Sequence, residues 1–127
     1  MLRSWQEPYT TWLETDRCTY ADINRIAGNL NYLLDDDALK ADYTQDDVIT
    51  MEEWTDIVDA VIGLVESEGL YNVEELPNTD ATALNFNIVE GLTHEIKAWI
   101  DLKAKQLDAA AYTGEAIYVN DYDLFVR

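Results

Sequence analysis

Apolar residues recur at helical spacing in three stretches, and polar linkers separate them. In the first, Tyr20 to Leu34, the residues Ile23, Ile26, Leu30 and Leu33 fall on one helix face. Thr19 precedes this stretch and Asp22 follows three residues on, a capping box with Asp in place of Glu. Asp35-Asp36-Asp37 then sets three carboxylates against the negative end of the helix dipole, which predicts a stop there. The second stretch, Met51 to about Glu66, opens on a Thr50–Glu53 capping box. It buries Trp54, Val58, Val61 and Val65, and Gly69 is placed to end it. The third runs from Ala83 to about Ala110 behind an N-cap at Thr82, with Leu92, Ile96, Trp99 and Leu102 along one face.

The two ends read differently. Residues 1–13 carry Trp5, Tyr9 and Trp12 around Pro8, and such a strip predicts an irregular aromatic brace lying across the helices. Residues 112–127 hold aromatic and β-branched positions around Asn120-Asp121, the pattern of a short β-hairpin or extended arm. Two strands alone are marginal in water, so this arm needs a surface to dock on. The expected fold is therefore mainly α: one domain over 1–127, with a three-helix bundle-like core at 19–110, the brace and the arm. A shift of 63 residues also lays Ile23-Asn24 on Phe86-Asn87, Gly28 on Gly91 and Thr19 on Thr82, which points to a repeated helical unit.

Charge narrows the partners. The 127 residues include 26 acids and 8 bases, for a net charge of −18. Direct nucleic-acid binding needs the opposite excess, and an anionic membrane surface is disfavoured on the same ground. One cysteine, Cys18, excludes an internal disulfide, and with one histidine, His94, the common structural zinc sites fall away as well. The acidic run from Asp35 to Asp47 lacks a glycine turn and places Leu39 where an EF-hand needs a ligand, so no metal is expected there. Cys18 with His94 is a weak catalytic pairing. Ser4 and Ser67 lack a nucleophile-elbow context, and the scattered glycines form no phosphate loop. No catalytic residue and no cofactor are expected.

Two features remain for recognition. Trp5, Tyr9, Trp12, Tyr118, Tyr122 and Phe125 cluster in the terminal segments, where a small domain has little core to hide them, and large aromatics there point to protein–protein contact. Glu52, Asp56, Asp59 and Glu66 form an acidic stripe on the second helix, with steps comparable to the spacing of phosphates along a strand. That stripe supports an alternative: an acidic decoy, such as an anti-CRISPR protein, occupying the basic channel of a nucleic-acid-binding host nuclease.

The stretch Thr15-Asp16-Arg17-Cys18-Thr19-Tyr20-Ala21-Asp22-Ile23-Asn24-Arg25-Ile26, continuing through Asn29-Leu30 to Leu33, resembles a segment that recurs in small virion proteins of tailed bacteriophages and prophages of Gram-positive hosts. There a Trp-containing approach and a Thr-Asp lead into an Asp-x-Asn-Arg-Ile helix, often more than once per chain. Trp12 with Thr15-Asp16 supplies the approach here. Leu76 to Asp80 with Phe86-Asn87-Ile88-Val89-Glu90 looks like a degenerate second copy, in which Ile88 stands where Arg would. The resemblance implies a non-enzymatic structural protein of a phage tail or neck, assembled in the bacterial cytoplasm with other virion proteins or copies of itself. Arg25 lies off the apolar face, where it either pairs within the chain or contacts a neighbouring subunit.

Overall fold

The computed structural model describes residues 3–70, 73 and 75–113, with 107–113 as helical backbone. Among them it shows three helices and no strand: α1 Tyr20–Leu34, α2 Met51–Glu68 and α3 Ala83–Thr113. The mainly-α reading holds, and the helix starts match the caps. Thr19 donates through its N–H and its hydroxyl to Asp22, and Thr50 donates its N–H to Glu53 while accepting from the Glu53 N–H. Thr82 accepts from the Asn85 N–H. Asp35 and Gly69 end α1 and α2 in the left-handed region, with φ of 53° and 70°. At Asp35 a side chain stands where glycine is the usual solution. The third helix runs past its expected end and takes in Tyr112, which the sequence assigns to the arm. The rest of the arm, with Tyr118, Tyr122 and Phe125, lies outside the described residues.

The chain divides into two units at Lys97. In the first, the fourth residue of every helix (Ile23, Trp54, Phe86) lines one groove, and the Trp54 and Phe86 rings stand 5.1 Å apart. The amino-terminal turns of all three helices therefore meet at one end, and the chain must travel back between one helix and the next. Ile26, Leu30, Ile57, Val61, Val89 and Ile96 are each at most 1% exposed. Burying each such side chain contributes about 1.5–3 kcal/mol. In the second unit, the Lys103 ammonium lies 5.7 Å from the Trp99 ring, one turn away on the same helix, and Leu102 is half exposed.

The return segments form no strands. They are straps, over 3–13, 38–43 and 75–80, held by asparagine side chains from the helices. Asn24 donates to the carbonyl of Tyr43 at 2.9 Å and accepts its N–H at 2.8 Å. Asn31 does the same to Leu39, Asn29 to Gln6 and Asn87 to Trp12. Asn85 clamps Asn78 and reaches the Asp80 carbonyl too. Each amide copies the donor–acceptor pair that a neighbouring strand would offer, which satisfies strap backbone without a sheet. From Asn24 to Asn31 the helix rises about 10.5 Å, and the four residues from Leu39 to Tyr43 cover it only if nearly extended.

The clamps reveal the repeat. Trp12 and Tyr43 each lie seven residues ahead of an N-cap, Thr19 and Thr50, and each is held by the fifth residue of a different helix, Asn87 of α3 and Asn24 of α1. The Trp12 end of the strap before α1 thus hangs on α3, with its Gln6 end on Asn29 of α1, and the strap before α2 hangs on α1. Symmetry would hang the third strap on α2, but there the fifth position is Thr55, and Asn85 of α3 holds that strap instead. The 63-residue shift seen in the sequence is two steps of a strap-and-helix unit whose caps are Thr19, Thr50 and Thr82.

The caps also set an acid limit. The Thr50 N–H holds the Glu53 carboxyl below its usual range, and the Thr44 N–H does so for Asp47. Burial pushes Asp22 up, but the Thr19 N–H, the Arg25 guanidinium and the Thr19 hydroxyl outweigh it, and its value too is lowered. Folded values below unfolded ones mean stability that is complete at neutral pH and disappears as pH falls below about 4. Glu53→Gln keeps the capping geometry and removes the titration. Its thermal midpoint should therefore fall less than that of the natural chain between about pH 5 and pH 2.5. Parallel profiles in a melting series would show that the cap carries no acid dependence.

Candidate functional site

The segment that carries the phage-protein resemblance folds around one buried carboxylate. Glu90 of α3 is 1% exposed and accepts from four donors on two elements. Arg25 of α1 bonds it through Nε at 3.1 Å and through Nη2 at 2.8–3.0 Å, and the Tyr9 N–H donates at 3.0 Å. The Trp12 indole N–H donates to the other oxygen. Arg25 spends its remaining arm on Asp22 at 2.9 Å. Asp22, Arg25 and Trp12 of the resembling segment and its approach are therefore one interlock at Glu90, a helix cap, an ion pair and an anchored ring, while Asn24 beside them clamps the next strap.

Of the residues expected to touch partners, Arg25 and Trp12 are turned inward. Arg25 is the intramolecular ion pair, not the subunit contact that the sequence left open, with its side chain 14% exposed. Trp12 is 5% exposed and lies 5.2 Å from the Phe86 ring. Trp5 is half-buried between Tyr32, ring to ring at 6.1 Å, and the Lys97 ammonium at 5.2 Å. Tyr9 remains on the surface, edge-on to Trp12, with its hydroxyl donating to Asp16. Within this strip Trp12 is buried and Trp5 half-buried, and Tyr9 is exposed.

The acidic stripe stands clear. Glu52, Asp56, Asp59 and Glu66 are all exposed on α2. The run after α1 is different, because Arg3 bridges Asp35 and Asp37 at 2.7 Å each and ties the first strap to the end of α1. Among the described residues no group of three or more His, Cys, Asp or Glu side chains could hold a metal ion. No described helix is long and apolar enough to cross a membrane. Partial desolvation, with the Asp22 carboxylate beside it, pushes the Cys18 thiol up to about 11, so it carries little thiolate at neutral pH. His94 is exposed and lies 3.6 Å from Glu7.

Sequence reasoning passes over one feature. A groove of about 720 Å³ opens at the end where the three helices begin. Ile23, Trp54 and Phe86 line it, and so do Tyr20, Val48 and Met51, which are 45%, 83% and 67% exposed. Each of the last three follows or precedes a helix cap, a position that reads as ordinary surface until the three ends are brought together.

Compared with known protein families, with characterised proteins and with solved structures, the chain has no significant match in any of the three.

Proposed function

We infer that the chain is a non-enzymatic structural component of a tailed phage or prophage particle, associated with its tail or neck and acting by assembly. The observation that supports this most is the interlock at Glu90. The residues of the resembling segment that could have carried chemistry are consumed in the scaffold: Asp22 caps α1, Asn24 holds the strap before α2, and Arg25 ties α1 to α3 through Glu90. A segment whose polar residues build the scaffold suits a part that must present fixed surfaces to neighbours. Contact with other virion proteins, or with copies of itself, falls to Tyr9 and to the terminal aromatics Tyr118, Tyr122 and Phe125. Deleting 118–127 is expected to leave the helical circular dichroism signal largely intact while abolishing incorporation into particles. Undiminished incorporation would remove the arm from the account.

A second reading rests on the stripe. Four exposed carboxylates along α2 suit an acidic decoy that occupies a basic nucleic-acid channel. Reversing Glu52, Asp56 and Asp59 to Lys separates the two. Under the assembly reading the triple variant enters particles nearly as well as the natural chain, and under the decoy reading it loses its hold on a basic nuclease.

A further inference from the structure

We propose that the groove at the amino-terminal ends of α1, α2 and α3 is a docking site for an extended segment of another protein, one that presents an apolar anchor residue flanked by Lys or Arg. The inference goes beyond the assembly reading and stands on separate residues. Tyr20, Val48 and Met51 expose apolar surface around one concavity whose inner wall is Ile23, Trp54 and Phe86. Contiguous exposed apolar surface rimmed by polar groups is the usual signature of a docking surface. Its volume of about 720 Å³ accommodates one or two large side chains.

A second observation marks the same place. Among the described residues, the Trp54 indole Nε1 is the buried side-chain polar atom without a hydrogen-bond partner, and Trp54 lines this groove. Buried donors are nearly always satisfied, and this one, enclosed behind the groove wall, gains a main-chain carbonyl when an incoming segment parts the side chains that cover it. The charge of the partner follows from the rim. Asp16, Asp47 and Asp80 line the groove, no Lys or Arg does, and the chain as a whole carries −18. Asp16 takes the Leu13 N–H and the Tyr9 hydroxyl on one oxygen, and Asp47 takes the Thr44 N–H on one oxygen with the Lys40 ammonium 3.9 Å from it, so the rim stays acidic with that lysine beside it. A basic partner is favoured on approach and in place. An extended segment suits the fold as well, since this bundle already holds its own straps by side-chain bonds to their backbone.

The test is selection from a random dodecapeptide library on the full-length chain, followed by titration of the enriched peptides into ¹⁵N-labelled protein. Enriched peptides should carry an apolar residue beside Lys or Arg and should move the Trp54 indole N–H resonance, assigned with Trp54→Phe. The paired variant Val48→Ser/Met51→Ser, altered only at exposed positions and without change of charge, should bind them at least tenfold more weakly with an unchanged thermal midpoint. Trp54→Phe should weaken them about fivefold, the share of one hydrogen bond. No enrichment, enriched peptides without bases, or equal binding to the paired variant would each overturn the proposal. So would an anionic apolar dye, 1-anilinonaphthalene-8-sulfonate, occupying the groove as tightly as the peptides.

Discussion

Arg25→Ala should cost the protein about 3–5 kcal/mol, the range for breaking a buried ion pair from one side. Glu90 is 1% exposed, and Arg25 supplies three of the bonds to it. Without the guanidinium, the carboxylate is left in a desolvated site with its charge uncompensated. The first strap should loosen as well, because the Tyr9 N–H and the Trp12 indole bond to the same two oxygens. Adding Glu90→Gln removes the stranded charge and keeps an acceptor for Tyr9. The double variant should therefore be more stable than Arg25→Ala alone. Urea denaturation of the four members of this cycle gives the coupling directly. Additive single-variant effects would show that the pair contributes nothing as a pair.

Asn31→Ala is the second large effect, at about 2–4 kcal/mol. Asn31 is 0% exposed, and its amide serves both the N–H and the carbonyl of Leu39, which is itself buried. Alanine leaves two main-chain groups without partners, each costing about 1–3 kcal/mol, less whatever water can enter to replace the amide. Asn31→Asp keeps an acceptor for the N–H but sets a buried carboxylate oxygen against the Leu39 carbonyl, so at neutral pH it should cost at least as much as alanine. Hydrogen exchange gives a local check: the Leu39 amide should lose protection in Asn31→Ala ahead of the α1 core amides. Exchange at Leu39 that matches the natural chain would mean that the strap is held by its apolar side chains, Leu39, Ala41 and Tyr43, and not by the clamp.

What the sequence shows and what it hides divides along contact range. Thr50 with Glu53, and Gly69 after the last apolar turn, are local signals, and the observed caps follow them. Ile26, Leu30, Val61 and Ile96 are buried as their spacing predicts. The clamps are of another kind. Asn87 bonds a residue 75 positions away, and nothing beside it distinguishes an asparagine that holds a strap from one that faces water. The one trace is comparative, the coincidence of Asn24 with Asn87 under the 63-residue shift, and its meaning depends on knowing that both grip a residue seven places before a cap. Arg25 and Glu90 escape for a similar reason. An arginine off the apolar stripe fits a salt bridge or a subunit contact equally well until the buried carboxylate opposite is known. The groove is the extreme case, because Tyr20, Val48 and Met51 belong to different elements and become one surface only when the three amino-terminal turns meet.

The unit that emerges, a strap laid back along a helix and locked by amides, explains how the described part of a strongly acidic chain with a single cysteine is held in place. The apolar core supplies the bulk of the stability, and the amide clamps fix where each strap lies. Such a scaffold leaves exposed three surfaces that the core does not need: the Tyr9 edge, the acidic face of α2 and the groove at the helix starts.

Composition of purified particles tests the assembly account most directly. Under that account, phage particles induced from the strain that encodes the chain, banded by density and analysed by quantitative mass spectrometry, should contain it at a fixed copy number relative to the major tail protein. The chain missing from banded particles, and recovered instead from the lysate in complex with a basic nuclease, would contradict the account and leave the acidic stripe as the working surface.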